Sequence, residues 1–324
     1  MFKMKYLLLL FLLISHTLFG QSVQNEKPSK KVTKYINEVS GIIEKNSIYS
    51  DSINWEELKS KIITLSAGLQ EIDQCRPIID TIIFYLRRAG DDHSAFYTQL
   101  AVQKIKGEDA TIHSESRYLG DAIAYLKVPA FVSINLSASE SFASDIHAQV
   151  KQLDESHEIH GWIVDLRGNT GGNIHPMIKG ISCFIGEGIY AYTINAKNEI
   201  PMSTNYGQAA QIKINNSYRI KNPSSKIAVL IDSMTASSGE LTAIAFKTLP
   251  NVQFFGQPSA GFTTSNQTYR LSDGSYLFLA AAYMADRNKK KYIPNILPDV
   301  VCPVQTEDKI DHTLETAKKW LQIK

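Results

Sequence analysis

Cysteine is scarce in this 324-residue chain: Cys75, Cys183 and Cys302 stand far apart and are odd in number. That excludes a disulfide-stapled scaffold and a cysteine-based metal module, and leaves one disulfide or buried free thiols as alternatives. The histidines give no metal site either, because His157-Glu158-Ile159-His160 lacks the H-E-x-x-H spacing of a zinc peptidase. Neither sign of charge is in excess. Lys and Arg number 34 against 32 Asp and Glu, and Lys3 and Lys5 are the only charged residues before position 21, so the rest of the chain is balanced. Such a balance gives no footing for nucleic acid or an anionic membrane. Also missing are a P-loop, a complete G-x-G-x-x-G fingerprint and the G-x-S-x-G elbow of many hydrolases. No metal or cofactor is called for.

Long apolar runs are lacking too, apart from residues 7–13, which follow Lys3 and Lys5 and lead to Leu18-Phe19-Gly20 before polar Gln21. A basic start, a short apolar centre and a small residue at the end describe a secretory signal peptide over residues 1–20. An uncleaved anchor is the alternative. The chain is therefore expected to be periplasmic, cell-surface or secreted, with no stable membrane insertion after signal cleavage. No cysteine near residue 20 offers a site for lipidation.

From 32 to 86 the apolar residues fall at helical spacing, as in Ile78, Ile79, Ile82, Ile83 and Leu86, so 21–95 reads as a small N-terminal helical region. In 96–324, strands at 123–128, 161–166, 227–231 and 252–256 alternate with helical stretches at 139–153, 175–184 and from 241 onward. Paired strands are expected over 189–214, a hairpin around Ser272-Asp273-Gly274-Ser275, and a C-terminal helix over 306–321. This order predicts a mixed α/β core with some parallel pairing, its sheet flanked by helices.

Chemistry concentrates at three turns. In 226–240 a buried strand stops at Asp232, and Thr235-Ala236-Ser237-Ser238-Gly239-Glu240 leads into a helix. Hydroxyls at the positive end of a helix lie beside free backbone N–H groups, where a nucleophile benefits; the plainer reading is that Ser237 or Ser238 caps the helix. Arg167-Gly168-Asn169-Thr170-Gly171-Gly172 follows a second strand, and its glycines let backbone N–H groups approach a ligand. His93, in Gly90-Asp91-Asp92-His93-Ser94, has acidic neighbours that could orient its ring. His147 and His312 fit solvated helix faces.

Seven segments, in this order, resemble the C-terminal processing peptidase superfamily (S41-type): GDDHS at 90–94, IAYLKVPAF at 123–131, GWIVDLRGNTGG at 161–172, IAVLIDSMTASSGE at 227–240, FFGQPSAG at 254–261, LSDGSYLFL at 271–279 and LPDV at 297–300. The superfamily includes the tail-specific proteases, the tricorn protease core and the retinoid-binding modules. The resemblance implies a ClpP/crotonase-like core and a serine peptidase. It maps the nucleophile to Ser237, the glutamate of the T-A-S-x-x-E turn to Glu240, and the oxyanion hole to the amides of Ser238 and of Gly171 or Gly172. Phe262 stands where the Ser-Lys branch has its lysine, so the tricorn-like branch is the better match, with His93 as general base and Asp92 where a hydroxyl precedes it. That branch's distant acid has no counterpart around 291–295; Asp286 is the nearest candidate, and Asp92 could orient His93 locally. Residues 94–122 are too few for a substrate-tethering PDZ domain. The implied function is hydrolysis of a peptide or protein substrate by Ser237 and His93, and the alternative is a weak or inactive module that holds a peptide or apolar ligand.

Overall fold

In a computed structural model of the chain, residues 26–107, 113–215, 217–304 and 310–323 are described. The expected signal peptide lies outside them. The chain forms two compact units, Met1–Gln99 with Asn266–Ala281, and Leu100–Ser265 with Ala282–Lys324.

In the first unit, α1 (Lys30–Asn46) starts where the Ser29 hydroxyl accepts from the Val32 amide, and its stripe Val32, Tyr35, Ile36, Val39 and Ile43 is buried. Asn54 caps α2 (Trp55–Ser66), and a proline in the first turn opens α3 (Arg76–Arg88). These three stripes share one core with Leu271, Leu277 and Leu279 of a hairpin, β9 (Thr264–Arg270) and β10 (Tyr276–Ala285). The short β1 (Ala95–Tyr97) pairs antiparallel with β10, and a helix, α4 (Gln99–Gly107), follows it in the chain. The helices of 21–95 thus share their core with residues far along the chain. Tyr35 Oη donates to Asp273 at 3.1 Å, which ties α1 to the hairpin turn.

The second unit is built on a six-stranded sheet in the order β11-β8-β7-β4-β3-β2. Its strands are β2 (Glu115–Tyr118), β3 (Ile123–Lys127), β4 (Gly161–Asp165), β7 (Lys226–Ile231), β8 (Val252–Gly256) and β11 (Val300–Val301); all neighbours are parallel except β2 with β3. Both faces are covered, which is why these strands read as unbroken apolar runs. Alternate residues Trp162, Val164, Ile227, Val229 and Ile231 pack with α5 (Leu136–Ser156), α6 (Ile174–Ile185) and α8 (Ser238–Ile244). The intervening Ile163, Ala228 and Leu230 pack with Ala317 and Leu321 of α9 (His312–Gln322). Because β4 and β7 are adjacent and parallel, the turns that follow them leave the same edge of the sheet.

Two expectations are corrected. Strands β5 (Ile189–Ile194) and β6 (Glu199–Ser203) pair as predicted, but the rest of 189–214 contains a short helix, α7 (Gly207–Gln211), in place of further strand. His147 is not on a solvated face: it is 1% exposed, with Nδ1 accepting from the Tyr218 amide at 2.9 Å and Nε2 3.0 Å from the Lys179 carbonyl. It joins α5, α6 and the 218 segment as a neutral ring, and burial lowers its pKa. All three cysteines are buried and free.

Candidate active site

The turn after β7 is held from inside. Asp232 Oδ1 accepts from the Met234 amide at 3.0 Å and from Thr235 Oγ1 at 3.2 Å, so the chain reverses directly after the strand. Ser237 then adopts φ 52° and ψ −118°, in the left-handed region that a non-glycine residue enters only at a cost. Glu240, fully buried, secures that conformation: Oε2 accepts from the Ser237 amide at 2.8 Å, and Oε1 accepts from Ser259 Oγ at 2.5 Å and the Gly261 amide at 2.9 Å. Burial raises the Glu240 pKa, and the converging donors pull it back. Ser259 in turn accepts from the Ile296 amide at 2.8 Å. The turn holding Phe262 is therefore the outer wall of the Glu240 pocket.

The glycine turn after β4 is stapled to this one by four bonds. The Gly168 amide donates to Asp232 Oδ1 at 3.0 Å, Thr235 Oγ1 to the Leu166 carbonyl at 3.0 Å, the Ala236 amide to the Asn169 carbonyl at 2.9 Å, and Ser238 Oγ to the Gly172 carbonyl at 2.7 Å. Contact is too close for side chains. A Cβ on Gly239 would lie 2.3 Å from the Asn169 carbonyl oxygen, and one on Gly171 would lie 2.9 Å from the Ser238 amide and 3.0 Å from Ser237 Cβ. Gly171 and Gly172 have φ of 98° and 113°.

Ser237, Ser238, Gly171, Gly172 and Glu240 are thus brought together. The two glycines differ: the Gly171 amide donates to Asn169 Oδ1 at 3.0 Å, whereas the Gly172 and Ser238 amides have no acceptor among the described residues. Two uncommitted N–H groups beside a serine are what a developing oxyanion requires. Arg167 points away from this cluster, making bidentate pairs with Asp165 and Asp311.

His93 belongs to the first unit. Its amide donates to Asp91 Oδ1 at 3.1 Å, and its carbonyl accepts from Asn266 Nδ2 at 3.1 Å. Asp92 is exposed and makes no hydrogen bond among the described residues. The carboxylate that organises this turn is buried Asp91, which also accepts from the Ser94 amide and hydroxyl at 2.8 and 2.6 Å. Asp286 is likewise engaged, accepting from the amides of Asn288 and Lys290 and from Tyr292 Oη. The sequence does not single out Asn169, Asp232, Thr235 or Ser259 as part of the cluster around Ser237, and at His93 it points to Asp92 and not to Asp91. Their signal lies in position alone, since each falls within one of the family-like segments, beside the residues that carry the resemblance.

A strained serine at a strand-to-helix turn, fixed by a buried carboxylate and flanked by two free amides, defines the serine-type hydrolase class on a mixed α/β fold. The chain belongs to peptidase family S41, whose family model matches residues 122–302, and is a serine-type peptidase. It is similar to the nisin-resistance protein of Lactococcus lactis subsp. lactis, at 30% identity over 89% of this chain and 86% of that one. It is also similar to the carboxyl-terminal-processing protease of Synechocystis sp., at 25% identity over 56% of this chain, but spans only 38% of that protein. Among solved structures, that of a lipoprotein from Streptococcus agalactiae superposes with a TM-score of 0.75 at 26% identity, covering 90% of this chain and 96% of the other. No helix among the described residues is long and apolar enough to cross a membrane.

Proposed function

We propose that this chain is an exported serine peptidase that hydrolyses peptide bonds through Ser237, with His93 as general base and then general acid. His93 takes the hydroxyl proton as Ser237 Oγ attacks the carbonyl carbon, and returns it to the leaving amine; water then releases the acyl group by the same steps in reverse. The oxyanion formed at each stage lies between the amides of Ser238 and Gly172. Glu240 acts through the turn it holds and does not touch substrate. Export rests on residues 1–20. With no room for a PDZ domain in 94–122, short peptides are the proposed substrates, and the similarity to the nisin-resistance protein makes nisin the first to test.

One observation carries this reading: the left-handed Ser237, pinned by Glu240 beside two uncommitted amides. A fluorophosphonate probe is expected to add to Ser237, with the adduct located by peptide mass mapping, and His93→Ala is expected to slow labelling by about 10²-fold or more. Folded wild-type protein that takes no probe and cleaves no peptide would overturn it.

A further inference from the structure

We infer that Asn169 is a positioning residue for the oxyanion site: by capturing the Gly171 amide it decides that Gly172, and not Gly171, supplies the second donor. The inference rests on Ser237 being the nucleophile.

Asn169 is completely buried between the strand end at 128–129, α6 and the nucleophile turn. Its orientation is dictated by its neighbours. Nδ2 faces the carbonyls of Val128 at 3.0 Å and Pro129 at 3.2 Å and the Met177 sulfur at 3.3 Å, while Oδ1 faces the Gly171 amide at 3.0 Å. A reversed amide would set donor against donor on one side and leave two carbonyls unpaired on the other. The main chain of Asn169 is equally engaged, because its carbonyl accepts from the Ala236 amide, immediately before the nucleophile. Asn169 is thus bonded to both turns at once, through its side chain to one and its backbone to the other. Gly239 admits this approach only because it has no side chain.

The consequence for chemistry is geometric. At φ 98° and 113° two successive glycines can turn either amide toward the serine. With Oδ1 holding the first, the second is left without a partner among the described residues, and the Phe131 backbone fixes the strand around it: the Phe131 amide donates to the Gly171 carbonyl at 3.1 Å, and the Phe131 carbonyl accepts from the Asn173 amide at 2.5 Å. A donor fixed before the reaction stabilises the developing charge without reorganisation, which is where such a site gains its rate.

Two experiments test this. In wild-type protein, hydrogen exchange read by NMR should show the Gly171 amide protected and the Gly172 amide exchanging freely. A peptide boronic acid, which forms a tetrahedral adduct with the serine, should protect and shift the Gly172 and Ser238 amides and leave Gly171 unmoved. A Gly171 resonance that responds in place of Gly172 overturns the inference even while the adduct forms on Ser237; no adduct at all removes the underlying reading and this inference with it. In Asn169→Ala and Asn169→Asp, kcat should fall by about 10²-fold and boronate affinity by a similar factor, with KM within about threefold of wild type. Asp keeps the acceptor for Gly171 but sets a carboxylate oxygen against two carbonyls, so it is not expected to rescue. A folded variant that retains kcat within about threefold, or that loses KM and kcat together with boronate affinity unchanged, overturns the assignment.

Discussion

At Ser237 the proposed function and stability pull in opposite directions. A non-glycine residue at φ 52° stores about 1–3 kcal/mol, which the hydrogen bonds that Glu240 accepts from Ser237, Ser259 and Gly261 must outweigh. Replacing Ser237 by glycine removes the strain and the proposed nucleophile together, while replacing it by alanine removes only the proposed nucleophile. Ser237→Gly is therefore expected to be about 1 kcal/mol more stable than Ser237→Ala in denaturant titration, with neither variant taking the probe. Glu240→Gln should cost about 1–3 kcal/mol, because an amide nitrogen would face one of the N–H or O–H groups that the carboxylate accepts. The pH dependence has a fixed sign. Since burial raises the Glu240 pKa in the folded state, the stability it contributes is fully present below the ordinary carboxyl range and declines as pH rises through the raised value. The glutamine variant should lack that decline, so the difference between the two unfolding free energies narrows with rising pH. Ser237 and Glu240 stand out in the T-A-S-x-x-E pattern. Their division of labour does not, because the donors at Ser259 and Gly261 come from a turn that only the folded chain brings to Glu240.

Among the elements, the two turns at the edge of the parallel sheet act as one piece. Strands β4 and β7 are legible in the sequence because burial on both faces leaves long apolar runs, and the polar stops after them are equally clear. What no period or run can show is that the glycine turn and the serine turn share four hydrogen bonds, or that Asn169 sits between them, since contact across adjacent strands depends on strand order. His147 eludes a reading by pattern for a related reason: its helical spacing is compatible with solvent, and it is α6 and the 218 segment, both distant in sequence, that cover it. Gly239 and Gly171 give the sharpest check on the shared piece. Gly239→Ala places a methyl 2.3 Å from the Asn169 carbonyl oxygen and must push the turns apart, and Gly171→Ala puts a methyl against the Ser238 amide. Both are expected to lower kcat by about 10²-fold or more. Gly41, in mid-helix, is the control, because a methyl added there would meet nothing within 4 Å. Gly41→Ala should gain about 0.5–1 kcal/mol in thermal unfolding and leave kcat unchanged.

For the molecule as a whole, the chain's path matters more than its linear order. The first unit draws its core from two distant stretches: the helices between Lys30 and Arg88 bury their apolar stripes on Leu271, Leu277 and Leu279, each at most 3% exposed. A polypeptide that begins at residue 96 keeps those leucines and loses the helices that cover them, along with the Tyr35 bond to the hairpin turn. Three fully buried leucines are worth about 1.5–3 kcal/mol each when removed from water, a sum comparable with the whole stability of many domains. The boundary after residue 95, natural when helices and strands are read as successive blocks, therefore cuts through a core. The 96–324 fragment is expected to bind a hydrophobic dye strongly, lose near-UV circular dichroism from the hairpin tyrosines Tyr269 and Tyr276, and associate at micromolar concentration, whereas residues 26–324 should unfold cooperatively. A soluble, dye-silent fragment with native near-UV signal would show that the hairpin stands without its helices, and that the serine turn can be studied apart from the histidine-bearing segment.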